Sequence, residues 1–161
     1  MELLELAAQT MLVGLLAGWL VIGAYENWRA PEVNRDLVRD VFSMETMETE
    51  YPAIHALVKD NRMTSKRLQN VLFRLIVVFE TLVAALLLLG TFALTLAIIG
   101  IVDPLTAQIV AGWAVLGFIL IWGLFLVGGN WFHYWVSHKG SQHTHYFMTI
   151  WGIVTLGIIL L

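Results

Sequence analysis

Glu80 lies inside a run of apolar residues that begins at Val71 and extends to Val102. A charge at the centre of a bilayer costs about 2.5–3.5 kcal/mol on insertion scales. This carboxyl is therefore expected to be protonated, hydrogen-bonded or turned toward a bundle interior. Its chemistry is then either that of a proton relay or ligand-binding acid, or that of a buried hydrogen bond fixing how helices pack. Arg74 stands six positions earlier, about 240° round a helix of 3.6 residues per turn. The two share no face, and Arg74 is expected to reach the interface by snorkelling. The donors expected near Glu80 are the indoles of Trp122 and Trp19, with Asn130 and His133 closer to the surface.

Four of the five histidines, His133, His138, His143 and His145, fall between Asn130 and Tyr146, among Trp131, Phe132, Tyr134 and Trp135. Imidazole is a common metal ligand, and paired imidazoles on facing helices can hold haem. A b-type haem here requires His133 to face His143 or His145. The alternative is a belt of rings at the headgroup level, as interfacial aromatics usually form. The belt, with Trp131 and Trp135, is the candidate contact surface for a pigment or other ligand. No HExxH, facial carboxylate set, P-loop, nucleotide fingerprint or nucleophile motif is present. Neither catalytic residues nor a bound metal or cofactor are therefore expected. Glu45, Glu48 and Glu50 lack the geometry of a calcium loop and read as a solvated turn, and His55 reads as structural. Gly14 and Gly18 form a GxxxG that allows close approach of helices in lipid.

Composition identifies the solvent around these groups. The 161 residues are 59% hydrophobic and 13% charged, where soluble chains carry about a quarter charged residues. A water-soluble domain of this size cannot hide so much apolar surface. The absence of cysteine excludes disulfides, iron–sulfur clusters, thiolate zinc sites and covalent c-type haem. A net charge of −3, evenly mixed, points away from nucleic acid.

A crossing helix needs about 20 mostly apolar residues, and four stretches have them: 6–25, 71–102, 105–135 and 146–161. Residues 1–5 lack the basic leader of a cleavable signal peptide, so the first is expected to be retained. Asp103 as N-cap and Pro104 at the first helical position predict a tight hairpin between the second and third, and Ser65 is expected to cap the second. Residues 26–69 form a polar cap. After Pro31, Val33, Leu37, Val38, Val41 and Phe42 share one side, and Asn34, Arg35, Asp36, Arg39 and Asp40 the other. That pattern predicts an amphipathic helix lying in the interface plane. The expected fold is one all-α membrane domain, four transmembrane helices in an antiparallel bundle with this helix between the first two. All nine Lys and Arg lie on the cap side, and by the positive-inside rule the cap is cytoplasmic.

The chain also resembles a bacterial family of predicted small integral membrane proteins. The resemblance runs nearly end to end through Val41-Phe42-Ser43-Met44-Glu45-Thr46, Tyr51-Pro52-Ala53-Ile54, Glu80, Gly112-Trp113-Ala114-Val115-Leu116-Gly117 and Val127-Gly128-Gly129-Asn130-Trp131-Phe132. It differs at Asn130, where relatives usually carry an acid, and at Glu45, often Asp. The resemblance implies a multi-pass protein of the bacterial inner membrane with the cap outside, opposite to the charge rule. Three functions remain. One is a non-catalytic accessory subunit packed by lipid and other integral membrane subunits in a respiratory or photosynthetic assembly. A second is a small transporter or proton conductor built on Glu80, and the third a haem- or quinone-binding protein using the His133–His145 region.

Overall fold

A computed structural model describes residues 2–161. Four long helices dominate it: α1 (Glu2–Arg29), α5 (Lys66–Ile98), α6 (Pro104–Trp131) and α8 (Lys139–Ile159). Between α1 and α5 come α2 (Pro31–Ser43), α3 (Glu45–Glu50), α4 (Pro52–Val58) and a 3-10 turn (Lys59–Asn61), and α7 (Tyr134–Ser137) precedes α8.

Local chemistry sets the ends. Pro31 excludes helical geometry at the residue before it, and Ala30 takes φ −137°, which closes α1 and opens α2. Ser65 Oγ accepts from the Leu68 amide, and an Asp103 carboxylate oxygen from the Thr106 amide at 2.9 Å, so both expected caps are present. The second apolar run stops at Ile98 instead of reaching Val102. Gly100, at φ +74°, takes the left-handed geometry that turns the chain after a helix C-terminus. The third stops at Trp131 instead of 135, where His133 adopts φ 53°.

By length and composition, three helices are apolar and long enough to cross a membrane: Leu3–Arg29, Lys66–Ile98 and Pro104–Trp131. The expectation of four is corrected at α8. That helix begins at Lys139, before the apolar stretch 146–161, and its first two turns carry Gln142, His143, Thr144 and His145. Those polar residues dilute it below the apolarity of the other three. α8 nevertheless packs along α6 and returns to the rim where α1 and α6 begin, since Gln9 Nε2 donates to the Ile158 carbonyl at 3.1 Å.

α5 sits between α1 and α6. Their seams are narrow because small residues meet there: a β-carbon on Gly90 would stand 2.9 Å from Ala111 Cα, and one on Gly117 3.1 Å from a Val83 methyl. A β-carbon on Gly14 would stand 3.4 Å from the Thr91 methyl, while one on Gly18 would meet nothing within 4 Å, so only half of the GxxxG faces a neighbouring helix of the chain. The core of Val13, Leu16, Leu20, Leu87, Leu94 and Phe118 is closed to solvent.

The amphipathic helix expected after Pro31 is α2, and it lies beside α5. Trp28 pairs with Thr81, Arg39 with Asn70, and the Met63 amide with the Phe42 carbonyl. From the first pair to the second the chain advances eleven residues (28 to 39) while α5 retreats eleven (81 to 70). α2 therefore runs antiparallel beside the first turns of α5, continuing α1. Its apolar side is partly covered: Val38, Val41 and Phe42 are half-buried, while Val33 and Leu37 stay exposed. Asp40 then holds the turn into α3, accepting from the Thr46 amide at 2.8 Å and the Thr46 hydroxyl, while Met44, buried at φ 58°, joins Met47 and Val136 in a second small core.

Candidate functional site

Glu80 is buried, as its position demanded, and its partner comes from α1. Asn27 Nδ2 donates to Glu80 Oε2 at 2.8 Å, and Asn34 Nδ2 of α2 donates to Asn27 Oδ1 at 2.7 Å. The three groups form a directed chain across three helices. Asn27 donates with its nitrogen and accepts with its oxygen, so a carboxamide with no exchangeable acid proton stands between Glu80 and the cap. Such a chain positions a carboxyl well and relays protons poorly.

None of the expected donors serves Glu80. Trp122 is buried with its indole N–H unpartnered, and Trp19 packs edge-on against Trp151, centroids 6.4 Å apart. Asn130 and Arg74 are exposed. At the opposite rim a second amide pair closes the bundle: buried Gln9 accepts from Gln108 Nε2 at 3.2 Å while donating to Ile158.

The histidines separate into different settings. His138 Nε2 lies 3.0 Å from Asp40 Oδ2, and its Nδ1 lies 2.9 Å from Ser137 Oγ, a clasp between α2 and the start of α8. His133 Nδ1 faces the Trp131 carbonyl at 3.2 Å, and His143 is exposed, as are Trp131 and Trp135. His145 turns inward among the rings of Trp122 (centroids 5.6 Å), Phe125 (5.0 Å) and Tyr134 (5.7 Å), with Tyr134 Oη 3.2 Å from its Nδ1. His133 and His145 thus pack against different neighbours. Among the described residues no three His, Asp or Glu side chains converge as a metal site.

Tyr134 reaches His145 because residue 129 is glycine. A β-carbon there would stand 2.6–2.7 Å from the phenol ring. Burial, then the neighbouring Tyr146, pushes the Tyr134 phenol up to about 12, and burial pushes the His145 imidazole down to about 4. At neutral pH the first is a hydroxyl and the second an uncharged ring. An unfolded histidine titrates near 6.5, so the cage favours the neutral form. Its stabilisation is complete above about pH 6.5 and is lost as pH falls toward 4. The difference in melting temperature between wild type and His145→Phe, followed from pH 7.5 to 4, is expected to shrink across that window. A constant difference would mean that the ring does not titrate in this way.

Beside the cage lies a cavity of about 290 Å³ bounded by α2, α5, α6, α7 and α8, with Phe79, Phe125 and Phe132 in its wall and Tyr134, Ser141 and His145 on its α7–α8 side. Sequence reasoning singled out His145 but not Tyr134 as its partner, and it missed Asn27 altogether.

No curated protein and no solved structure matches the chain. Residues 5–161 match the model of the predicted small integral membrane proteins, DUF2165. With that match covering almost the whole sequence, and three helices apolar enough to cross a bilayer, the chain belongs to this family of small integral membrane proteins.

Proposed function

We propose that the chain is a non-catalytic subunit that packs against a larger assembly in the bacterial inner membrane. The observation supporting this reading is where its intramembrane polar groups point. Glu80, Asn27 and Asn34 satisfy one another, as do Gln9, Gln108 and the Ile158 carbonyl. Much of the outward face of α6 is apolar, with Trp113, Leu116, Leu120, Leu124 and Val127 making an exposed stripe down it. Transporters usually set several polar groups along a path, often at broken helices. Here the polar groups tie helices together and leave the outer faces to lipid and neighbouring subunits. Isolation in a mild detergent, with size measurement and mass spectrometry, is expected to recover the chain in constant ratio with larger membrane proteins. Recovery as a solitary monomer overturns the proposal.

The conducting alternative makes a different demand on Glu80. If Glu80→Gln abolishes a proton flux in vesicles bearing the purified protein, conduction replaces the subunit reading.

A further inference from the structure

The cavity beside His145 has a composition that selects its occupant. Its lining contains no Lys, Arg, Asp or Glu. A phosphate or ammonium headgroup buried there would have no counter-charge, and burial of an unpaired ion is strongly unfavourable. The wall is instead rich in flat rings, with Phe42, Phe79, Phe125, Phe132 and Tyr134 all contributing. Offset and edge-on contacts between rings add about 0.5–1.5 kcal/mol beyond area burial, so a planar occupant is favoured over a flexible chain.

The polar groups are few and come from one side: Tyr134, Ser141 and His145. Tyr134 Oη lies 3.2 Å from His145 Nδ1; in the tautomer whose Nδ1 accepts from the phenol, Nε2 carries the hydrogen, and that N–H and the Ser141 hydroxyl are donors. An occupant that satisfies them offers an accepting oxygen without charge. The volume, about 290 Å³, falls just below the range of typical ligand pockets, about 300–1,000 Å³. It suits a ring headgroup and the first carbons of a substituent. Leu37 and Leu124, also in the lining, are themselves exposed on the outer surface. A longer tail has a way out past them into lipid.

We propose that this cavity binds a lipid-soluble quinone, its ring among the phenylalanines and a carbonyl oxygen accepting from the Ser141–His145 side. The site requires no partner subunit and stands independently of the accessory role proposed above. Gly128 supplies a way to block it, because it lines the cavity and a β-carbon there meets nothing within 4 Å.

The test uses the full chain in phosphatidylcholine nanodiscs, titrated with decylubiquinone and followed by tryptophan fluorescence. Quinones quench indole emission, and Trp122 lies against the His145 ring. A saturable quenching component is expected in wild type and is expected to vanish in Trp122→Phe. Gly128→Leu, which fills the space, and His145→Phe, which keeps the ring but removes the donor, are each expected to raise the half-saturation concentration about tenfold, the effect of losing about 1.4 kcal/mol. Where Gly128→Leu fails to fold, His145→Phe and Tyr134→Phe decide. Quenching that rises without saturating, or that saturates identically in wild type and the His145 variant, overturns the proposal. So does a phospholipid that co-purifies in the cavity and is not displaced by the quinone.

Discussion

Asn27→Leu is expected to destabilise the protein by about 2 kcal/mol, while Glu80→Gln changes its stability by less than about 1 kcal/mol. The asymmetry follows from the direction of the chain Asn34→Asn27→Glu80. Removing the middle amide breaks two hydrogen bonds, leaving the Glu80 carboxyl without its donor and Asn34 without its acceptor. Interhelical hydrogen bonds within lipid average only about 0.6 kcal/mol and reach about 1.7. A buried polar group left unpaired adds about 1–3 kcal/mol, and that second contribution carries the effect. Glu80→Gln keeps an accepting oxygen for Asn27 and so keeps the chain. The sharper result is the pair Asn27→Leu/Glu80→Leu, which removes both partners. It is expected to be more stable than Asn27→Leu alone, because no carboxyl is left buried without its donor, while Asn34 lacks its acceptor equally in both variants. Thermal unfolding in detergent, arranged as a double-mutant cycle, measures this directly. If the two substitutions simply add, Asn27 and Glu80 are not coupled and the polar chain does not hold α1 to α5.

How far such contacts are legible in a sequence depends on their range. The Asp103 and Ser65 caps involve neighbours three residues apart, and both were recognisable from residue types alone. Burial of Glu80 was equally legible, because any acid in a 33-residue apolar helix must find an interior. Its donor was not. Asn27 sits 53 residues away at the polar end of α1, and only the antiparallel register of α1 on α5 brings it level with Glu80. The placement of α2 beside α5 has the same cause: an amphipathic pattern says that one face is covered but not by what. The cage around His145 depends on the chain reversal at His133, a non-glycine residue at φ 53°, for which composition holds no signal. α8 was misjudged because its polar first turns continue helically into the apolar stretch, so the hydropathy boundary at Tyr146 and the helix boundary at Lys139 do not coincide.

Gly90→Ala is expected to lower the melting temperature by about 2–4 °C, although it adds one methyl group to the interior of a helix, where alanine is the better former by about 1 kcal/mol. The contact geometry outweighs that preference. The added carbon would stand 2.9 Å from Ala111 Cα and 3.3 Å from Ala111 Cβ. The nearer of these is backbone, which cannot rotate away as a side-chain tip can. α5 and α6 must therefore separate, loosening the seam that Leu87, Leu94 and Ala107 share. Overpacking of this kind costs about 1–3 kcal/mol, and for a chain of this length each kcal/mol corresponds to about 2–4 °C. Two companions make the result diagnostic. Gly18→Ala, where nothing lies within 4 Å, is expected to leave stability unchanged or raised. Ala111→Gly in the Gly90→Ala background is expected to restore only part of the loss, because the 2.9 Å contact is with the Cα that glycine retains. Complete restoration would place the clash at the Ala111 methyl, and an unaltered melting temperature in Gly90→Ala itself would mean that α5 and α6 do not approach this closely at all.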